Sequence, residues 1–253
     1  MAELFHNFPR LYYPLPIGEG QTIILPENQS HYLKNVLRRQ MGDSIRIFNP
    51  LNGEWIGKID SLGKKLISIQ VEKQIRSSET TETEIHLVFS PIKKDRNDML
   101  IEKAVELGVT HFHPILFSRT IIREIKPDRI NAQMIEAAEQ CERLSIPTLA
   151  PLKDFKKLLT EWNLNIPLLA AVERIDSCHL SEIELHSKKI ALCIGPEGGI
   201  TPEEIEILGT KKYVTPVSLG ANILRAETAV FYGVSILSTL FTADISQDSE
   251  VIL

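Results

Sequence analysis

The amino-acid sequence predicts an α/β protein. A small, mostly β module comes first, and a domain with a mainly parallel sheet and several helices follows it. Residues 22–72 contain short apolar runs of period two, separated by turn-forming residues. The stretch at 73–84 is rich in Ser, Thr and Glu and contains one apolar residue, which is typical of a linker. Beyond it, strand-like and helix-like segments alternate, the order typical of an α/β domain. We therefore expect a module at 1–72, a linker at 73–84 and a second domain at 85–253.

Four strands and one helix are expected in the module. The alternation is clearest at residues 67–71, where Ile, Ile and Val are separated by Ser and Gln. Pro, Asn and Gly residues, which favour turns, separate the runs. The expected strands are Thr22–Leu25, Ser44–Phe48, Gly53–Ile59 and Leu66–Val71, and the expected helix is His31–Arg39.

The second domain is expected to alternate strands and helices. Short apolar runs bounded by polar residues are typical of strands buried on both faces of a parallel sheet. Helices are indicated by apolar residues every three to four positions, by glycines at helix ends and by a Thr-Pro-Glu-Glu capping box. The expected strands are Ile85–Phe89, Phe112–Phe117, Pro167–Val172, Ile190–Ile194 and Tyr213–Val217, and the expected helices are Asp98–Leu107, one capped by Asp128, one capped by Thr201 and Arg225–Leu240.

Composition narrows the class of protein. The chain has 253 residues, of which 43% are hydrophobic and 24% charged, so it is neither disordered nor a disulfide scaffold. Its three cysteines are scattered without a CxxC pair, which indicates neither a disulfide framework nor a zinc knuckle. No apolar stretch is long enough to span a membrane, and the N-terminus lacks the apolar core of a signal peptide. A cytoplasmic protein without membrane association is expected.

Charge is unevenly distributed along the chain. The net charge is −5, yet residues 1–72 carry eight Lys and Arg against seven Asp and Glu, so 8 − 7 = +1. Within them, residues 31–46 hold four basic side chains and one acidic side chain. A basic strip can bind a phosphate backbone, because each neutralised phosphate releases counterions. Charge alone favours the alternative, an ordinary solvated face.

Two strand–loop–helix segments carry the residues best suited to binding a ligand. Residues 194–201 read IGPEGGIT, and residues 217–228 place Arg225 and Glu227 at the start of a helix. Ligands bind at the carboxyl ends of strands in open α/β sheets, and glycine lets backbone amides approach them closely. A tight turn is the alternative for the first segment, and pairing of Arg225 with a carboxylate is the alternative for the second. No GxGxxG, P-loop or GxSxG motif occurs, which excludes the usual dinucleotide, P-loop and hydrolase sites.

Two histidines alternate along an expected strand. His111 and His113 share one face, with no Cys or carboxylate beside them in sequence at metal-ligand spacing. Surface histidines are therefore the favoured interpretation, and no metal site is expected.

The two loop motifs together resemble a known family. IGPEGGIT at 194–201 followed by LGANILRAET at 219–228 is similar to the paired signature of SPOUT-class RNA methyltransferases. More specifically, it resembles the RsmE family, which methylates N3 of one uridine in the 16S ribosomal RNA of the small subunit. The similarity covers nearly the whole chain, with further matching segments FPRLYY at 8–13, HYLKNVLRRQMGD at 31–43, EKAVELGV at 102–109 and AAEQCERLSIP at 137–147.

The resemblance implies a fold, a cofactor and partners. The fold would be an N-terminal PUA-like RNA-binding β-barrel and a C-terminal SPOUT domain with a parallel sheet and a deep trefoil knot. S-adenosyl-L-methionine would bind in the knot of a homodimer, and 16S ribosomal RNA, free or within the small ribosomal subunit or its precursor, would be the substrate. The motif matches imply that the cofactor is bound by Leu169, Gly195, Gly199, Leu219, Gly220 and Leu224.

Roles in catalysis and RNA binding follow from the same resemblance. Arg225 is expected to stabilise the negative charge that develops on the uracil ring. The general base is left open between Glu139, Glu227 and solvent. Ser90–Asp95 departs from the family's usual lysine-containing pattern, so Arg96 and its lysine neighbours are assigned no RNA contact. The residues expected to hold the RNA backbone are Arg10, Lys34, Arg38 and Arg39.

Three other functions stay open at this point. The chain could be a non-catalytic RNA-binding protein that has kept the fold, or an enzyme that binds another nucleotide in its glycine loops. It could also be a SPOUT methyltransferase acting on a different RNA nucleotide. The intact LRAET segment argues against the first, and the missing P-loop lysine argues against the second.

Overall fold

The computed structural model describes residues 5–78, 83–173 and 175–248, with side chains up to residue 242. Two compact units make up the chain. The first is Met1–Thr80 with Ala138–Ile146, and the second is Thr81–Ala137 with Pro147–Leu253. The inclusion of Ala138–Ile146 in the first unit was not predicted from the sequence.

The first unit is built on a five-stranded sheet in the order β1-β3-β4-β5-β2. β1 runs parallel to β3, and the other neighbours are antiparallel. Alternate strand residues form the core, as the period-two pattern predicted, and Ile69 is fully buried. The strands are β1 (Arg10–Tyr12), β2 (Thr22–Ile24), β3 (Ser44–Asn49), β4 (Gly53–Leu62) and β5 (Ile67–Arg76), and α1 (Glu27–His31) leads into a π-helical turn at Tyr32–Val36.

The segment between β5 and the next strand is shorter than the linker expected at 73–84. β5 continues to Arg76, because it pairs along β4 as far as Glu54 and its polar residues at 72–74 face solvent. The strand therefore continues through residues whose polar composition had indicated a linker. The next strand already begins at Glu84, and residues 79–82 of the expected linker lie outside the described residues.

The second unit is built on a seven-stranded, parallel sheet in the order β12-β10-β11-β6-β7-β8, with β9 also paired to β7. Its strands are β6 (Glu84–Phe89), β7 (His111–Leu116), β8 (Thr148–Leu149), β9 (Lys153–Asp154), β10 (Leu168–Ala171), β11 (Lys189–Ile194) and β12 (Val214–Val217). Its helices are α2 (Lys94–Glu106), α3 (Pro127–Gln140), α4 (Phe155–Glu161), α5 (Pro202–Gly209) and α6 (Ala226–Asp248), with a 3₁₀ turn at Leu180–Glu182.

Most differences from the expected elements lie at their ends. α1 begins four residues before the expected His31, α2 begins four residues before the expected Asp98, and Asp128 lies inside the first turn of α3 instead of capping it. The structure adds β1, β8, β9 and α4, which are too short for their apolar periodicity to identify them. No helix within the described residues is long and apolar enough to cross a membrane.

Candidate active site

The two glycine loops lie at one edge of the parallel sheet. They follow β11 and β12, the two strands that flank β10. The register pairs Ala171, the last residue of β10, with Ile194 and Val217, the last residues of β11 and β12. The loops therefore lie on either side of the carboxyl end of β10. Leu169 lies inside β10, two residues before this end, and is 2% exposed.

The first glycine loop, residues 195–200, needs its glycines for its shape. Gly199 has φ +76°, a region that favours glycine, and its N–H donates to the Pro196 carbonyl oxygen at 2.8 Å. A Cβ on Gly195 would lie 2.5 Å from Cγ1 of Ile200. The tight-turn interpretation therefore accounts for these two residues structurally, and a ligand is not needed to explain them.

A capping box fixes the end of this loop, as predicted. The Thr201 hydroxyl accepts from the Glu204 N–H at 3.2 Å, and the Glu204 Oε2 accepts from the Thr201 N–H at 2.9 Å. The other carboxylate oxygen, Oε1, accepts from the N–H and hydroxyl of Ser118 at 2.7 and 2.9 Å. Glu204 is therefore buried with both oxygens satisfied, and it ties the start of α5 to the turn after β7.

The second glycine loop, residues 218–225, is more open. Gly220 has φ +107°, and a Cβ there would have no atom within 4 Å. The backbone of Ser218 is held by the carbonyl oxygen of Cys178 and the N–H of Leu180 at 2.9 and 3.0 Å. Leu219 and Leu224 are half-buried, so this loop has apolar side chains on either side of Gly220, next to which there is open space.

Arg225 ends the second glycine loop directly before α6. Its side chain is exposed and has no hydrogen bond or ion pair to another described residue. Within the described part of the chain, pairing with a carboxylate therefore does not explain its position. A cation at a helix N-terminus opposes the helix dipole, so Arg225 must have another reason to lie there.

Arg96 was not predicted as a site residue, yet it connects both loop segments. From the first turn of α2 it forms ion pairs with Glu197 of the first glycine loop and with Glu227 of α6, the latter at 3.6 Å. Glu227 is 5% exposed, and its Oε2 has no hydrogen-bond partner among the described residues. The signal that could have located Arg96 is topological: α2 follows β6, whose carboxyl end lies beside that of β11.

The two carboxylates considered as general base are both engaged. Glu139 lies in the first unit, where its Oε1 accepts from the Tyr12 N–H at 2.8 Å. Glu227 is buried beside Arg96. Both carboxylates therefore already have partners within the protein.

The residues expected to contact RNA separate into two groups. Lys34 and Arg38 are exposed, and Arg39 is half-buried. The Lys34 ammonium donates to the Gly63 carbonyl oxygen at 3.0 Å, so the turn between β4 and β5 adds Lys64 and Lys65 to the same surface. We call Lys34, Lys64 and Lys65 the basic patch; Arg38 and Arg39 follow the end of the helical turn that carries Lys34.

Arg10 does not belong to the basic patch. Its side chain is 3% exposed, and its Nε lies 3.1 Å from Oε1 of Glu54. It also donates to the carbonyl oxygens of Ala138 and Arg143 at 2.8 and 3.0 Å. Burial lowers the pKa of this guanidinium, and the Glu54 carboxylate opposes that shift. This burial is at odds with the expectation that Arg10 holds an RNA backbone.

Comparison with known proteins places the chain in a family. A family model described as an RNA methyltransferase domain matches residues 79–238, and one described as an RNA methyltransferase PUA domain matches residues 25–72. The chain is 32% identical to the ribosomal RNA small subunit methyltransferase E of Rickettsia conorii, covering 90% of this chain and 94% of the relative.

Solved structures give the same result. The ribosomal RNA small subunit methyltransferase E from Neisseria gonorrhoeae, bound to S-adenosyl methionine, superposes with a TM-score of 0.83 at 30% identity, covering 92% of this chain and 98% of that one. A Legionella pneumophila protein in complex with the bound cofactor SAM superposes with a TM-score of 0.85 at 27% identity, covering 92% and 97%. The expected α/β fold with a PUA-like first domain is confirmed. The chain therefore belongs to the RNA methyltransferase family that includes the ribosomal RNA small subunit methyltransferases E.

Proposed function

We propose that this chain is an S-adenosyl-L-methionine-dependent methyltransferase that acts on N3 of one uridine in 16S ribosomal RNA. The observation that carries this proposal is the placement of two glycine loops on either side of the end of β10, in a chain of this family. Two solved relatives that share the fold, those from Neisseria gonorrhoeae and Legionella pneumophila, have S-adenosylmethionine bound. The N3 position is the specificity of the RsmE family that the loop motifs resemble.

The residues of the site fit S-adenosylmethionine. The adenine ring needs apolar surface, which the half-buried Leu219 and Leu224 supply beside the open backbone at Gly220. Glu227 keeps a buried carboxylate oxygen without a partner among the described residues. A buried orphan acceptor indicates a missing donor, and an adenosine carries several hydroxyl and amino donors. Leu169, Gly195 and Gly199 are assigned to the cofactor site by the family motif.

The chain's own residues supply electrostatics and positioning. When bound, the cofactor supplies an electrophilic methyl group. Uridine N3 carries a proton and becomes a good nucleophile only when that proton is lost, which leaves negative charge spread over O2 and O4. The exposed Arg225 guanidinium, which has no partner among the described residues, stabilises this charge. Since Glu139 and Glu227 are engaged, we assign the proton to solvent.

RNA recognition is assigned to the first unit. N3 lies on the Watson–Crick edge, so the target uridine must be unpaired or turned out of its stack before it reacts. The basic patch offers three cationic side chains to the surrounding phosphates, and Arg38 and Arg39 add two more at the end of the adjoining helical turn. Arg10 is left out because it is buried.

The family resemblance adds further proposals. We retain the homodimer, the trefoil knot and a substrate within the small ribosomal subunit or its precursor. We also expect a cytoplasmic location, because the RNA substrate is found there.

Mapping of methylated nucleosides by mass spectrometry tests this function. Ribosomal RNA from cells with the gene should contain one 3-methyluridine in the small-subunit RNA that is missing from cells without it. A different methylated nucleotide lost with the gene would overturn the N3 assignment. Unchanged ribosomal RNA together with no calorimetric response to S-adenosylmethionine would instead favour a non-catalytic RNA-binding protein, and stabilisation by ATP would favour another nucleotide.

A further inference from the structure

A cluster of histidines lies at the edge of the second sheet opposite the glycine loops. It consists of Glu84, His86, His111 and His113, from the amino-terminal halves of β6 and β7. His86 is the direct register partner of His111, and Glu84 and His86 share one face of β6. We call these four residues the histidine cluster. It is remote from the candidate active site, because the loops of that site follow the carboxyl ends of the strands.

Three members of the histidine cluster bring ligand atoms together. One atom each from Glu84, His86 and His111 lies within 4.8 Å of the others. The Nε2 of His86 is 3.0 Å from Oε2 of Glu84. His86 is buried, whereas Glu84 and His111 are half-buried, so an ion can reach the group from solvent.

The other nitrogen of each ring is held by a neighbour. Nδ1 of His86 lies 3.0 Å from Nε2 of His113, and Nδ1 of His111 lies 2.8 Å from the Thr110 hydroxyl. Metal-ligating histidines have this arrangement, in which the second nitrogen is hydrogen-bonded and the first carries the metal. On the carboxylate, the Lys189 ammonium lies 2.6 Å from Oε1 of Glu84, which leaves Oε2 facing His86.

The rings of His86 and His111 stack on each other. The centroids of His86 and His111 are 4.1 Å apart with an interplanar angle of 5°. Coordination of one ion by both Nε2 atoms therefore requires the half-buried His111 ring to tilt. His86 must also carry its proton on Nδ1 and donate a hydrogen bond from there to Nε2 of His113, whose own proton then lies on Nδ1. Both rings change tautomer, and no net proton is released.

We propose that the histidine cluster binds one Zn²⁺ ion through Oε2 of Glu84, Nε2 of His86 and Nε2 of His111, with water as the fourth ligand. Two imidazoles and one carboxylate suit this borderline ion better than Mg²⁺ or Ca²⁺, which prefer oxygen ligands alone. His113 orients His86 as its hydrogen-bond partner. The bound ion would link the starts of β6 and β7 and stabilise this edge of the sheet.

Zinc titration of the full chain tests the proposal. The background carries Cys178→Ser, because this exposed thiol could bind the ion on its own. Calorimetry with a competing chelator should show one equivalent of Zn²⁺, and Co²⁺ should give the visible absorption of a tetrahedral site. Glu84→Gln and His111→Gln should each weaken binding by about tenfold or more, since loss of a direct ligand should cost at least as much as loss of an outer-shell partner, which typically costs about 10- to 100-fold.

A matched control separates this site from surface binding. His186 pairs with Glu184 at 3.8 Å on an exposed surface, so His186→Gln removes a histidine–carboxylate pair outside the cluster and should leave affinity unchanged. Circular dichroism checks that each variant is folded, and the Nε2 resonance of His86 should shift when zinc is added. Equal affinity in all variants, loss of binding only in His186→Gln, or no binding by the parent chain would overturn the proposal.

Discussion

Two arginines reach the candidate active site, and they differ in what they contact. Arg96 is ion-paired with Glu197 and Glu227, whereas Arg225 is exposed without a partner among the described residues. A guanidinium that is already paired holds protein segments in place. One without a partner can respond to charge that develops on a substrate. We therefore expect replacement of Arg225 to lower the rate of methyl transfer, and replacement of Arg96 to lower stability and cofactor affinity.

Arg225→Ala is expected to retain S-adenosylmethionine binding and to lose most methyl transfer. Removing one donor that stabilises developing negative charge typically costs about 10²- to 10³-fold in rate. A single-turnover assay with small-subunit RNA measures the rate, and calorimetry measures cofactor binding. Lys212→Ala removes another exposed cation of this unit and should leave both unchanged. Unchanged turnover in Arg225→Ala would exclude it from the mechanism.

Arg96→Ala is expected to lower both stability and cofactor affinity. The substitution leaves the buried Glu227 without its cation and removes one of the contacts that hold the first glycine loop. We expect a loss of about 1–3 kcal/mol in the free energy of unfolding, since Arg96 itself is partly exposed. Arg129→Ala, which removes the cation of a more exposed pair with Asp98, should cost less than about 1 kcal/mol.

Urea unfolding and calorimetry measure the two effects of Arg96. Adding Glu227→Gln to Arg96→Ala should recover part of the lost stability, because the buried charge is then removed as well. If Arg96→Ala behaves like Arg129→Ala, the ion pairs of Arg96 do not organise the site.

At the scale of elements, the close approach of α6 to β11 depends on one glycine. A Cβ on Gly233 would lie 2.6 Å from Cδ2 of Leu192 and 3.6 Å from Cδ2 of Leu219 in the second glycine loop. The helix therefore packs so closely on the Leu192 side chain that a methyl group at position 233 would require Leu192 to shift. The same contact supports one wall of the candidate cofactor site.

Gly233→Ala is expected to destabilise the second unit by about 1–3 kcal/mol, the typical cost of overpacking. The Leu192 side chain must shift to admit the methyl group, whereas Leu219 Cδ2 is at an ordinary contact distance of 3.6 Å, so S-adenosylmethionine binding should change little. Gly209→Ala is the matched control, because a Cβ there would meet nothing within 4 Å and alanine favours a helix by up to about 1 kcal/mol. Urea unfolding of both variants compares them. Equal stabilisation by both substitutions would show that α6 can shift without cost.

Elements with a local chemical signal were predictable from the sequence. The capping box at Thr201 and Glu204 was predicted because both partners lie within one helical turn. The start of α2 at Lys94 was missed because its N-cap, Lys93, makes no side-chain cap. The end of β5 was missed because pairing with β4 extends the strand to Arg76, and this pairing cannot be read from the composition of β5 itself.

At the scale of the whole molecule, the site could be predicted only in part. The two glycine loops were recognisable as motifs, but their meeting depends on β10 lying between β11 and β12. The histidine cluster likewise depends on the register of β6 with β7, which brings His86 beside His111. Arg10 was assigned to RNA because its acceptors, the carbonyls of Ala138 and Arg143, are distant in sequence.

These acceptors belong to a segment that completes the first unit from far along the chain. Residues 138–146 supply carbonyl oxygens to Arg10 and, from Glu142, to Arg76 at 2.7 Å. The carboxylate of Glu142 pairs with Arg46 at 2.8 Å, and this hydrogen bond lowers the pKa of Glu142. Among residues 5–78, which the structure describes, the buried Arg10 and Arg46 therefore find only part of their hydrogen-bond and ion-pair partners.

A fragment of residues 1–80 is accordingly expected not to fold stably. Without residues 138–146, the almost fully buried Arg10 and Arg46 keep Glu54 as their charged partner among the described residues of the fragment, and a buried charge that loses its partners typically costs about 3–5 kcal/mol. A unit of this size has little stability in reserve. Joining residues 138–146 to the fragment through a Gly-Ser linker should restore dispersed amide proton NMR signals and a cooperative urea transition, whereas a scrambled version of the same nine residues should not. Equal folding of all three fragments would show that the segment only covers a unit that is already complete.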